Sequence, residues 1–258
     1  MTLGGIDLAI LAPALVAGLL VLATHVPLGA QVLERGIVFI DLAIAQIAGL
    51  GVIAAGAMGW ESQGWAVQAS AVAAALLGAL ALTWSERRWP EIQEALIGAL
   101  FVVASSAGLL LLAGNPHGGE HLKDLLVGQI LWVSWTQIAA MAALTALVLG
   151  LWLTVGARIG RVGFYVLFAL AVTASVQLVG VYLVFSSLII PALASRAWPR
   201  RWRLSGAWLL GAVAYLVGLA LSARFDLPSG AVVVMTMALL APLAAWGVAR
   251  VLGQRPAL

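Results

Sequence analysis

Few side chains in this sequence are equipped for chemistry, and Asp41 and Gln46 come first because they interrupt the apolar stretch GIVFIDLAIAQIAGLG. An ionisable group inside such a stretch is costly, and it is retained where it faces a cavity or a partner. Asp41 therefore has two readings: a point on a polar path, or a carboxylate that snorkels outward or pairs with Arg35. Gln46 either lines the same path or hydrogen-bonds to a neighbouring helix.

The stretch GNPHGGEHLKD holds His117, Glu120 and His121. His-x-x-Glu-His is the spacing by which a helix sets two imidazoles around a catalytic metal with the Glu as base. Here Pro116, Gly118 and Gly119 oppose a rigid helix and no third ligand is evident. That leaves a weak metal contact or an ordinary solvated loop, with an intramembrane metalloprotease as a remote alternative. Cysteine is absent, so any metal must meet nitrogen, oxygen or thioether ligands. Lys123 is the only lysine and follows His121 and Leu122, so no Gly-x-x-x-x-Gly-Lys-Ser/Thr phosphate loop exists. The chain cannot hydrolyse ATP by that route; it is passive, ion-driven, or served by a separate subunit.

The third chemical feature is the stretch from Pro191 to Arg203, PALASRAWPRRWR, with Arg196, Arg200, Arg201 and Arg203. A short helix along a membrane surface would present this charge to a partner. The alternative is a positive anchor with interfacial Trp.

These residues hang on a very apolar frame. The chain has 258 residues, 64% hydrophobic and 9% charged, with a mean hydropathy of +1.10. A soluble domain carries roughly 25% charge, so this is an integral membrane protein with no room for a sizeable soluble domain. The net charge of +3 reflects cations in short loops, which report orientation instead of nucleic-acid binding. MTLGGIDLAI lacks a basic region before its apolar run, so the first segment is expected to be retained.

Apolar runs fall at about 7 to 29, 36 to 59, 65 to 84, 92 to 113, 133 to 155, 161 to 177, 179 to 195, 205 to 223 and 229 to 250. The fold expected is an all-α polytopic bundle of eight to nine transmembrane helices in a single domain over residues 1–258. The run from 161 to 195 reads as a tight hairpin of two short helices, or as one broken helix. With an outer N-terminus and an inner C-terminus, nine crossings put Arg35, Arg87, Arg88, Arg158, Arg161, Arg196, Arg200, Arg201, Arg203, Arg250 and Arg255 inside and only Lys123 and Arg224 outside. Gly51, Ala55 and Gly59, Ala207 and Gly211, and Ala214 and Gly218 recur every four residues and predict close helix contacts.

Three stretches resemble the membrane permeases of ABC importers for zinc, manganese and related divalent metals. VGVYLVFSSLIIPALASR (179–196) is similar to that family's Gly-rich segment ending in Ile-Pro-Ala. FDLPSGAVVV (225–234) is similar to the opening of its last helix, and DLLVGQILWVS (124–134) to its Gly-centred segment after the outer loop. The resemblance implies the type II importer fold shared with vitamin B12 and siderophore importers, in the cell's inner membrane. It also implies a homodimer of permeases, cytoplasmic ATPases that bind the ATP, and an extracytoplasmic metal-binding protein, with no cofactor held by this chain. Residues 191–203 would be the cytoplasmic coupling loop, with Pro191 and the four arginines docking in an ATPase groove.

Two features depart from the family pattern. Its second segment commonly has Asp followed four residues later by His; Ala45 stands in that place, and no metal ligand is carried over to Gln46. The connection VGARIGR (155–161) is short. A siderophore or vitamin permease of the same architecture, and an ATP-independent secondary metal carrier, remain the rival readings.

Overall fold

The computed structural model describes residues 2–3, 6–60, 64–112, 126, 128–155 and 160–251. Within them the chain forms nine α-helices: α1 (Leu8–Arg35), α2 (Ile40–Ala57), α3 (Trp65–Arg88), α4 (Gln93–Leu112), α5 (Trp135–Val155), α6 (Gly160–Val179), α7 (Val181–Ser195), α8 (Arg200–Phe225) and α9 (Ser229–Val251). The other regular elements described are two 3-10 turns and a two-residue antiparallel pairing of Thr2–Leu3 with Ile6–Asp7. Each apolar segment of the sequence is a helix, because a backbone in hydrocarbon must satisfy its own hydrogen bonds. Eight of the helices are long and apolar enough to cross a membrane, and the chain is a multi-pass membrane protein. The ninth, α7, has 15 residues and spans about 22 Å, short of the ~30 Å hydrocarbon core.

Side-chain contacts fix which helix ends lie together. The Arg35 guanidinium, closing α1, lies 4.2 Å from the centre of the Phe164 ring near the start of α6. Arg161 approaches Glu86 at 3.8 Å. Gln93, opening α4, donates to the Leu82 carbonyl at 3.1 Å and to the Tyr165 hydroxyl at 3.3 Å, and accepts from Ser85 at 2.9 Å. These bonds clamp α3, α4 and α6 at one end of the bundle. Gly18 faces Tyr215 and Gly211 faces Leu22, so α8 runs antiparallel to α1 and begins at this same end. Gly218 faces Val233, which brings α9 back to it. Among the described residues, Arg35, Arg87, Arg88, Arg161, Arg196, Arg200, Arg201, Arg203 and Arg250 gather at this arginine-rich end, and Arg224 stands at the other.

The 161–195 run is a hairpin. α6 starts at the arginine-rich end, and Leu188 and Ala192 of α7 press on Gly29 near the end of α1. The chain therefore reverses at the single residue Gly180, whose φ of 81° suits a residue without a Cβ. α7 is enclosed by α1, α8 and α9.

Small residues set the other close contacts, as expected where lipid offers helices no hydrophobic gain on association. A methyl group added to Gly51 would sit 2.8 Å from the Ser70 carbonyl, and Ser70 donates to the Gly51 carbonyl at 2.9 Å. Ala207 and Ala214 are buried beside Gly211 and Gly218. Gly59 departs from its expected role: it lies past the end of α2 at φ 80° with open space around it. On this basis Gly29→Ala, which drives a methyl into the Leu188 backbone, is expected to cost about 1–3 kcal/mol. Thermal unfolding of the detergent-solubilised protein should show a lowered midpoint, whereas Gly56→Ala, with open space around it, should not lower it.

Candidate functional site

A narrow cleft opens between four helices at mid-depth. Ala45, Gln46, Gly49, Leu50 and Ile53 of α2 form one wall, and Ala104, Ser105 and Gly108 of α4 the facing one. Val176 of α6, Val181 of α7 and Leu126 complete it. Spacings of three and four residues place each set on one helix face. Within this apolar lining Ser105 donates to the Gln46 side-chain oxygen at 3.2 Å. Gln46 thus lines a cavity and bonds to a neighbouring helix at once.

Asp41 is five residues from Gln46, so the two point about 140° apart around α2. It does not line the cleft; it is 1% exposed, and its Oδ1 has no hydrogen-bond partner. Pairing with Arg35 is not what the structure shows, since that guanidinium stacks on Phe164. His117, Glu120 and His121 lie outside the described residues. Among the described residues no three His, Cys, Asp or Glu side chains come close enough to hold a metal.

The basic stretch differs from the surface helix expected. Pro191 lies inside α7, residues 196–199 form a turn, and Arg200, Arg201 and Arg203 occupy the first turn of α8. The segment is a compact junction because Trp198 folds back over Gly206, where a Cβ would collide with the indole ring. Arg196, Arg200 and Arg201 are exposed. No ion pair engages them among the described residues, so their charge is open to a partner.

Two features went unread in the sequence. His25 is fully buried in α1; its Nδ1 lies 2.9 Å from the Val21 carbonyl and 3.0 Å from the Thr24 hydroxyl, and Nε2 is left without a partner. Its signal was a histidine inside a long apolar run. The second is the contact of Gly128 with the helix break: at φ 71° its Cα lies so close to the Val179 carbonyl and the Gly180 nitrogen that no side chain fits. The segment carrying Leu126 and Gly128 thereby packs on the cleft and on the hairpin that borders it. Gly128→Ala combines a strained φ with a backbone collision and is expected to destabilise the fold by more than about 1 kcal/mol. The check is a lowered unfolding midpoint relative to Gly98→Ala, which meets nothing within 4 Å.

Comparison with known proteins agrees with this architecture. A cyanobacterial membrane protein, slr2045 of Synechocystis sp., is 28% identical over 178 residues, which cover 61% of this chain and 63% of that protein. PsaBC from Streptococcus pneumoniae, solved in complex with Fab, matches with a TM-score of 0.75 at 21% identity over 92% of this chain and 91% of that one. A metal-chelate type ABC transporter in an inward-facing conformation matches with a TM-score of 0.67 at 17% identity, over 92% and 85% of the two chains. At these identities the solved structures establish a shared fold. Residues 7–247 match the model of the ABC 3 transport family, and the chain belongs to that family.

Proposed function

We propose that this chain is the permease of an ATP-driven importer of divalent metal ions, with zinc or manganese as cargo. The family match across residues 7–247 carries the reading. It is supported by the likeness to a metal-chelate type ABC transporter and by the absence of a phosphate loop, which leaves nucleotide chemistry to a partner. In this reading two copies form the path, an extracytoplasmic binding protein delivers the ion, and an ATPase docks on the α7–α8 junction through Arg196, Arg200, Arg201 and Arg203. The arginine-rich end faces the cytoplasm by the positive-inside rule. The N-terminus is then outside and the C-terminus inside.

The cleft suits a path better than a trap. A structural zinc site holds its ion by about 10 kcal/mol or more, which is too tight for turnover, whereas Gln46 and Ser105 offer only neutral oxygens. Asp41 is the one ionisable side chain within α2, and a buried carboxylate oxygen without a partner carries a cost that function must repay. In this reading Asp41 is a cation contact near the start of α2, on the face turned away from the cleft. A weak outer contact at His117, Glu120 and His121 fits the same scheme as an entry point.

Reconstitution with the ATPase and binding protein tests the reading: Zn²⁺ or Mn²⁺ uptake should require ATP, and uptake by the isolated chain without ATP would overturn it. Asp41→Asn should lower uptake roughly tenfold or more while the protein still inserts and assembles. Arg200→Glu with Arg201→Glu should weaken ATPase association in pull-downs without altering membrane insertion.

A further inference from the structure

Most arginines at the arginine-rich end already have an occupation. Arg35 stacks on Phe164, Arg161 faces Glu86, the Arg250 guanidinium lies 3.7 Å from the centre of the Trp246 ring, and those of the α7–α8 junction serve the docking reading. Arg87 and Arg88, which close α3, are left over. Both are exposed, and among the described residues neither forms an ion pair. Glu86, beside them in the chain, is turned toward Arg161, and Glu91 in the turn that follows pairs with neither.

The pair ends a strip of side chains that runs down the outside of the bundle. Leu77, Leu80, Trp84, Arg87 and Arg88 follow spacings of three and four residues, so they share one face of α3. That face is exposed along its length. Trp84 is 60% exposed, and the Trp89 ring stands at 89° to it with centroids 5.1 Å apart. The Arg88 guanidinium lies 5.8 Å from the centre of the Trp89 ring. Leucines, then two indoles, then two cations one turn further on follow the profile of a membrane interface, from hydrocarbon through its edge to headgroup depth.

We propose that this end of α3 binds an anionic phospholipid, its phosphate held by Arg87 and Arg88 and an acyl chain lying on Trp84, Leu80 and Leu77. Guanidinium and phosphate match in charge and in hydrogen-bond geometry. The leucines select a lipid over a free anion, because phosphate alone gains nothing from an apolar strip. They also select it over a cytoplasmic protein, which cannot follow the strip to Leu77, about 16 Å from Arg88 along the axis. The proposed orientation puts this end in the leaflet where anionic lipids concentrate. Ser85 and Glu86, on the same turn, belong to the clamp that joins α3 to α4 and α6. A lipid held at Arg87 and Arg88 therefore steadies that end of the bundle.

The test titrates the full chain, in neutral detergent micelles, with dioleoylphosphatidylglycerol or dioleoylphosphatidylcholine and follows thermal unfolding and native mass spectrometry. Phosphatidylglycerol should stay bound in the mass spectrum and raise the unfolding midpoint above that in phosphatidylcholine. Arg87→Gln with Arg88→Gln should lower its affinity roughly tenfold or more and remove the rise. Arg200→Gln with Arg201→Gln should leave both intact. Native mass spectrometry reads affinity below the unfolding range, so a variant that is merely less stable still reports. Equal losses in the two double variants mean diffuse attraction and overturn the site. A rise reproduced by inorganic phosphate at the same concentration overturns the lipid as its occupant. Unchanged lipid affinity in Arg87→Gln with Arg88→Gln, with ATPase association lost in pull-downs, assigns the patch to the protein partner and overturns it as well. The titration needs neither ATPase nor metal, so failure of the transporter reading leaves its result standing.

Discussion

A chain inside a bilayer cannot leave backbone groups exposed to lipid, and non-helical backbone at that depth survives only where protein surrounds it. Gly180 is where this structure meets that constraint. The chain reverses there on a single buried residue, and the reversal produces a helix too short to cross by itself. Enclosure by α1, α8 and α9 allows α7 to exist. Gly29, by having no side chain, lets α1 approach the Leu188 carbonyl, and Gly128 comes against the break from the opposite side. The cleft and the basic junction after Ser195 both follow from where that short helix is put.

The polar groups divide into those that hold the bundle and those that line space. Ser85, Gln93, Tyr165, Glu86 and Arg161 tie α3, α4 and α6 together at the arginine-rich end. Ser187 and Tyr215, 2.9 Å apart, join α7 to α8. By contrast, Gln46 faces open space while bonded to Ser105 by its oxygen. Asp41 and His25 are buried with an atom unpartnered, as are Thr145, Thr173 and Ser175. A low-dielectric interior makes such atoms expensive.

On the proposed function, a conduit built this way needs little affinity for its cargo. The lining is mostly aliphatic, and the charged groups are displaced to the ends or to other faces of the helices.

Composition, apolar segment length and the arginine distribution were enough to read nine helices, their alternation and the basic stretch, since each is a local property of the chain meeting lipid. Gln46 was legible as a polar interruption in an apolar run. What its partner was, and that Asp41 five residues away faces elsewhere, depended on helix rotation, which neighbours set through Gly51 and Gly78. The stacking of Phe39 on Phe185 joins residues 146 positions apart in the chain, and aromatic residues in an apolar sequence carry no mark of it. The sequence by itself determined that the chain spans the membrane repeatedly and lacks an ATP-hydrolysing loop; only the tertiary structure decided which faces meet, because side-chain proximity between helices comes from packing geometry, not from the order of residues along any one of them.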